Sequence, residues 1–188
     1  MTPNKPIPLI VPGLRDHVPQ HWQTWLAERL PQAHSLTPLG CENLSLGERI
    51  TDLEATMARL DAPVVLVAHS GGCVLVAHWA RQTRLAHRVC GALLATPPTF
   101  DRPLPPAYPQ LDALDDAGWL PVPRHRLPFP SLVAASRNDP LGEWQAVGEL
   151  ARAWGSGLHD LGEVGHLNPA SGFGPWPLAE SLIQSLMR

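Results

Sequence analysis

The sequence predicts an α/β protein: a mostly parallel sheet of about six strands with helices on both faces. Two observations carry that expectation. Short apolar blocks without polar alternation, such as Val64 to Val67, read as strands covered on both sides. These blocks alternate along the chain with longer stretches of helical period, the order that strand–helix–strand crossovers produce.

The elements follow in order. Ile7 to Gly13 (IPLIVPG) is a short buried strand ending in a Pro-Gly turn. Pro19 to Leu30 carries Trp22, Trp25, Leu26 and Leu30 at helical spacing, with proline near its start. Ser45 to Leu60 places Ile50, Leu53, Met57 and Leu60 on one stripe, and Ser45 followed three residues later by Glu48 resembles a capping box. The strand at Val64 runs into His69-Ser70-Gly71-Gly72 and then into an apolar block, Cys73 to Ala80, of helical composition. Val89 to Thr96 and Ser131 to Ser136 are further strands, and Leu158 to Gly162 is a shorter one. Leu141 to Gly155 is helical, and a proline-initiated helix beginning at Pro175 closes the chain. From Pro97 to Pro130 the alternation gives way to a proline-rich excursion, longer than ordinary connections and therefore a candidate for function. With no repeat and no second pattern, residues 1–188 are expected to form one domain, long enough to bury a single core.

Composition narrows the function classes. The chain is 44% hydrophobic and 16% charged, as a globular protein is. A net charge of -3 gives no electrostatic footprint for nucleic acid or an anionic membrane. No stretch reaches the roughly 20 apolar residues needed to span a bilayer. The N-terminal run reads as a first strand rather than a signal peptide. Cys41, Cys73 and Cys90 are an odd number without framework spacing, which suits free thiols in a reducing, cytoplasmic compartment. His17 and His21 stand four apart, but no third ligand accompanies them and Pro19 interrupts a helix there, so no metal is expected. No partner protein is indicated.

In an open parallel sheet, ligands bind beyond the carboxyl ends of the strands. The residues that follow each strand here form a chemical set. The first strand ends in a turn with free amides (Gly13, Leu14), the next in Ser70, the Ser131 strand in Asp139 and the Leu158 strand in His166. A serine hydroxyl becomes a nucleophile when an imidazole takes its proton, and a carboxylate fixes the imidazole tautomer. The turn at Ser70 has the strand-to-helix layout of a nucleophile elbow, and the order Ser70, Asp139, His166 is the Ser-acid-His order that accompanies it. Gly71, at the helix N-terminus, has a spare N–H for an oxyanion. A second donor is expected from Leu14 or Gly13, and the partner expected for such a set is a small-molecule acyl substrate.

The motifs VAHSGG, ASRNDP, GHLNPASGFGPWP and the early VPG…HW together resemble the small serine hydrolases related to retinoblastoma-binding protein nine and bacterial YdeN. The likeness covers nearly the whole chain. It implies a compact α/β-hydrolase fold without a large lid, no cofactor, and Ser70, Asp139 and His166 as nucleophile, acid and base. The usual G-x-S-x-G is here Ala68-His69-Ser70-Gly71-Gly72, and alanine adds only one methyl at the first, tightly packed position.

Other residues compete for these roles. Ser70 also suits a plain helix N-cap. Asp160 rivals Asp139. His69 lines the pocket or points away from it, while His78, His87, His125 and His159 read as structural or solvated. Cys73 is a thiol nucleophile only if the elbow reading fails. Trp176 either borders the pocket or packs the last helix. The alternative class is a binding module on a hydrolase scaffold. A pocket-protein ligand L-x-C-x-E would support it, but Leu39-Gly40-Cys41-Glu42-Asn43 places its glutamate one position early.

Overall fold

The computed structural model describes residues 5–15, 18–30 and 32–187. The expectations that touch Met1 to Asn4, His17 and Arg188 lie outside that range.

Among the described residues six strands form one all-parallel sheet in the order β2-β1-β3-β4-β5-β6. They are β1 (Ile7–Val11), β2 (His34–Ser35), β3 (Val64–His69), β4 (Val89–Ala95), β5 (Ser131–Ala135) and β6 (Gly157–Asp160). The helices are α1 (Trp22–Arg29), α2 (Leu46–Arg59), α3 (Gly71–Ala80), α4 (Leu111–Asp116), α5 (Trp144–Trp154) and α6 (Leu178–Leu186). Val64 to Ala68 are wholly buried, as their unbroken apolar run requires.

Alternate strand residues feed two separate cores. Leu9, Leu66, Ala68, Leu94 and Val133 pack with apolar side chains of α2, α3 and α5. Ile10, Val65, Val67, Leu93 and Ala134 pack with Trp22 and Leu26 of α1 and Ala179 and Ile183 of α6. Helices therefore cover both faces. β1 is followed by β2 on one side, whereas its neighbour β3 is followed by β4 on the other, so the connections leaving the two strands diverge and open a crevice at their carboxyl ends.

The local signals explain most elements. Ser45 Oγ accepts the Glu48 N–H at 3.3 Å and caps α2. The reciprocal half of the expected box is replaced: Asn43 Oδ1 takes the Ser45 N–H at 2.9 Å, and Asn43 Nδ2 donates to Glu48 at 2.8 Å. α1 starts three residues later than the proline suggested, capped by His21, and Trp25 is 43% exposed rather than part of the buried stripe. β2 has two exposed residues and no apolar pattern to announce it. The proline-rich excursion contains α4, a six-residue helix anchored by fully buried Leu114.

The two elbow glycines carry unequal constraints. A side chain at Gly72 would place its Cβ 2.4 Å from the Val11 carbonyl oxygen and 2.7 Å from that of Pro12. At Gly71 the nearest obstacle is the movable Leu14 side chain, at 3.1 Å. Gly72→Ala is therefore expected to lower stability by about 1–3 kcal/mol, the usual cost of overpacking, and Gly71→Ala by less. Paired thermal melts check this ranking, and equal midpoints would contradict it.

Candidate active site

Ser70 stands between β3 and α3 with φ 55° and ψ -129°, a backbone conformation that costs a non-glycine residue about 1–3 kcal/mol. Its N–H donates to the Ala95 carbonyl at 2.9 Å, and its own carbonyl accepts from Cys73 N–H at 2.9 Å. Its side chain makes no cap hydrogen bond to α3. The hydroxyl is turned outward: Ser70 Oγ lies 2.8 Å from His166 Nε2.

His166 Nδ1 in turn lies 2.9 and 3.0 Å from the two carboxylate oxygens of Asp139. The side chains of His166 and Asp139 are 3% and 2% exposed. Because an ionised carboxylate only accepts, Nδ1 carries the hydrogen, and Nε2 is left as the acceptor of the Ser70 hydroxyl. The Leu141 N–H donates to Asp139 Oδ1 at 2.9 Å and fixes the carboxylate. Three strand ends thus converge into one hydrogen-bonded line. That line can move a proton from an alcohol to a ring nitrogen and hold the resulting imidazolium beside a carboxylate.

The loop carrying His166 is held from several sides. Gly165 N–H donates to Asn138 Oδ1 at 2.7 Å, His166 N–H to Ser171 Oγ at 3.0 Å, and His69 Nε2 lies 2.9 Å from the His166 carbonyl. Asn138 and Ser171 sit within the sequence motifs RNDP and SGFGPWP but were not singled out from sequence. Their signal was proximity in the chain to Asp139 and His166.

The rival residues are engaged elsewhere. Asp160 is an exposed ion-pair partner of Arg137, whose guanidinium, with the Gly162 N–H, holds its carboxyl below the ordinary range. Burial pushes the Cys73 thiol well up, and its Sγ donates to the Ala95 carbonyl at 3.3 Å. His78 binds the Trp119 carbonyl at 3.1 Å. His87 contacts the Arg84 carbonyl, in an exposed setting.

A cavity of about 620 Å³ opens over Ser70 and His166. Gly13, Leu14, His69 and Gly71 border it, whereas Trp176 does not. Trp176 packs edge-on against Trp22 at 4.9 Å in the core beneath α1 and α6, because the chain turns away from the site after residue 171. Gly13 backs directly onto the serine, since a Cβ there would sit 3.1 Å from Ser70 Cβ. The Leu14 amide nitrogen lies 3.6 Å from the point where a Gly71 Cβ would stand. Among the described residues neither the Leu14 nor the Gly71 N–H has a hydrogen-bond acceptor. Two spare donors at the mouth of a helix N-terminus suit a developing oxyanion.

The proline-rich excursion supplies one wall of the cavity through Pro98, Phe100, Leu104 and Tyr108. Arg15 ties it to the loop after β1, with its guanidinium 4.8 Å from the Tyr108 ring centre and 2.8 Å from the Ala107 carbonyl. Sequence reading could not single out Tyr108 or Arg15, because the excursion has no periodicity. Among the described residues no large lid is evident. Among the described residues no cluster of His, Cys, Asp and Glu could hold a metal, and no helix is long and apolar enough to cross a membrane. His17 lies outside those residues.

His69 is held neutral: burial, followed by the neighbouring His21 and His166, keeps its pKa well below the ordinary imidazole value. The unfolded chain, with a pKa of about 6.5, then binds the proton more readily. Its contribution to stability is therefore complete above that pH and is lost as pH falls towards the depressed folded value. Urea unfolding should show stability declining as pH drops below about 6.5, with a shallower decline in His69→Gln. An unchanged slope would show that His69 titrates normally in the fold.

The serine hydrolase family profile matches residues 8–185. A protein designated a YdeN-like hydrolase, from Pectobacterium atrosepticum, is 27% identical, with a TM-score of 0.79, covering 97% of this chain and 91% of its own. The ydeN product of B. subtilis is 22% identical, with a TM-score of 0.75, covering 96% and 98%. Est1E from Butyrivibrio proteoclasticus, solved with ferulic acid bound, is 14% identical, with a TM-score of 0.68, covering 99% and 88%. No curated protein matches the sequence.

Proposed function

The chain belongs to the serine hydrolase family, and from that premise we propose that it cleaves a small ester, thioester or amide through an acyl-enzyme on Ser70. One observation carries the proposal: the unbroken line from Ser70 Oγ through His166 to Asp139, with contacts of 2.8, 2.9 and 3.0 Å.

The steps follow from that line. Ser70 Oγ attacks the substrate carbonyl carbon while His166 Nε2 accepts its proton. The carbonyl oxygen becomes an oxyanion between the N–H groups of Gly71 and Leu14. Collapse breaks the bond to the leaving group, which receives the proton from His166 and departs, leaving an ester on Ser70. Water, deprotonated by His166, then attacks the acyl carbon; the bond from that carbon to Ser70 Oγ breaks, His166 returns its proton to Oγ, and the acid product leaves. Asp139 keeps the proton on Nδ1 and opposes the imidazolium charge throughout.

The cavity supports a compact substrate with an apolar portion. Its volume falls within the usual ligand-pocket range of about 300–1,000 Å³, and Val18, Leu44, Phe100, Leu104 and Leu141 give it apolar sides. A cytoplasmic setting for one domain completes the proposal, since the free thiols, including exposed Cys41, suit a reducing compartment.

A fluorophosphonate probe should label the wild type and leave Ser70→Ala unlabelled. A well-folded wild type that escapes labelling would return the pocket to a purely binding role. Asp139→Asn should lower kcat on p-nitrophenyl acetate by about 10⁴, the loss expected when the carboxylate no longer fixes the tautomer. Asp160→Asn should leave it unchanged, and the reverse ranking would transfer the acid role to Asp160.

A further inference from the structure

We propose that His69 is a positioning residue for His166. Its Nε2–H, donated to the His166 carbonyl, ties the loop carrying the proposed base to the end of the strand carrying the proposed nucleophile. The inference rests on the hydrolase reading of Ser70 and His166 and adds a second histidine to it.

The geometry is direct. His69 is the last residue of β3 and immediately precedes Ser70. Its Nε2 lies 2.9 Å from the His166 carbonyl oxygen, and a carbonyl only accepts, so this nitrogen carries the hydrogen. The two rings lie 5.0 Å apart between centres. Both residues are buried, which keeps water from substituting for the bond.

The loop needs outside support. Gly165 and Leu167, on either side of His166, both have positive φ, 57° and 47°. For Leu167 that conformation is strained and persists only where neighbouring contacts impose it. Asn138 and Ser171 anchor the segment through the Gly165 and His166 N–H groups. Neither comes from β3. Thr96 Oγ1 also reaches the His166 carbonyl, but at 3.5 Å. The 2.9 Å bond from His69 is thus the short tie between the base loop and the serine strand.

A histidine suits this place better than a fixed cation. Between ring centres, His21 at the N-cap of α1 lies 4.4 Å from it, Trp22 stands perpendicular to it at 6.0 Å, and His166 lies 5.0 Å away. Burial among these groups keeps the imidazole neutral. It can hold the carbonyl without adding a positive charge beside the imidazolium that His166 becomes during turnover. A lysine or arginine at position 69 would oppose that imidazolium.

The test compares His69→Phe, which retains a ring but has no N–H, with His69→Gln, whose amide N–H reaches a similar point. In His69→Phe, kcat on p-nitrophenyl acetate should fall by about 10- to 100-fold with KM little changed, the scale of loss for a misplaced catalytic group. His69→Gln should recover most of that loss. The downfield proton resonance of His166 Nδ1–H should persist in His69→Gln and shift or broaden in His69→Phe. Should His69→Phe not fold, His69→Met, also without a donor, takes its place. Folded donorless variants with wild-type kcat and an unmoved resonance would overturn the inference. A wild type that resists fluorophosphonate would instead defeat the hydrolase reading, and the resonance would still report whether His69 positions the ring.

Discussion

The close approach of α3 to the end of β1 is the constraint on which the site depends. Gly72 leaves no room for a side chain against the Val11 and Pro12 carbonyls, so the helix is pressed onto the strand end. With the helix start fixed there, the single residue between β3 and α3 must make the turn, and Ser70 does so with a positive φ. The same approach brings the N-terminal amide of the helix beside the Leu14 amide. Nucleophile exposure and oxyanion stabilisation, the two functions proposed for the elbow, thus derive from one packing contact. The strain at Ser70 is met by the burial of β3 and α3, whose apolar residues are almost wholly enclosed.

The proton relay proposed for this site depends on the opposite edge of the same sheet. β4 intervenes between the serine strand and β5, which delivers Asp139, while β6 delivers the loop of His166. A buried carboxylate–imidazole pair loses hydration, and good geometry with additional hydrogen bonds must offset that loss. Here the Leu141 N–H serves the carboxylate, while Ser171 and His69 hold the backbone of the imidazole residue. The hydrogen-bonded line is therefore braced by three different segments, the preorganisation that the proposed catalysis would require. The wall from the proline-rich excursion then sets the shape of the space above it, linked across the mouth by Arg15 and Tyr108.

Much of this architecture was legible because burial leaves its mark on composition. β1, β3, β4 and β5 sit inside the sheet, and their apolar runs announced them. β2 pairs only through Leu9 and Ile10 and exposes both of its residues, so nothing in His34-Ser35 separates it from a loop. α4 is too short for a period to emerge among prolines. At the site, the convergence of Ser70, Asp139 and His166 could be inferred because each follows a strand whose end must face the crevice. Trp176 could not be placed in the same way. Nearness in sequence to His166 left the pocket open beside packing of the last helix, and the structure takes the second: the 3₁₀ turn at Pro169–Ser171 and Gly172 redirect the chain into the α1–α6 core. The His69 bond to the His166 carbonyl spans 97 positions and involves a backbone acceptor, for which side-chain identity gives no signal.

The central claim is that a bond forms between substrate and Ser70. Mixing the protein with p-nitrophenyl acetate and quenching in acid before turnover is complete gives the direct test, read by intact mass and peptide mapping. The account predicts one added acetyl group, located on Ser70 and absent from Ser70→Ala, with a burst of p-nitrophenol stoichiometric with the protein. Full turnover with acetyl on another residue, or an undiminished burst from Ser70→Ala, would contradict it.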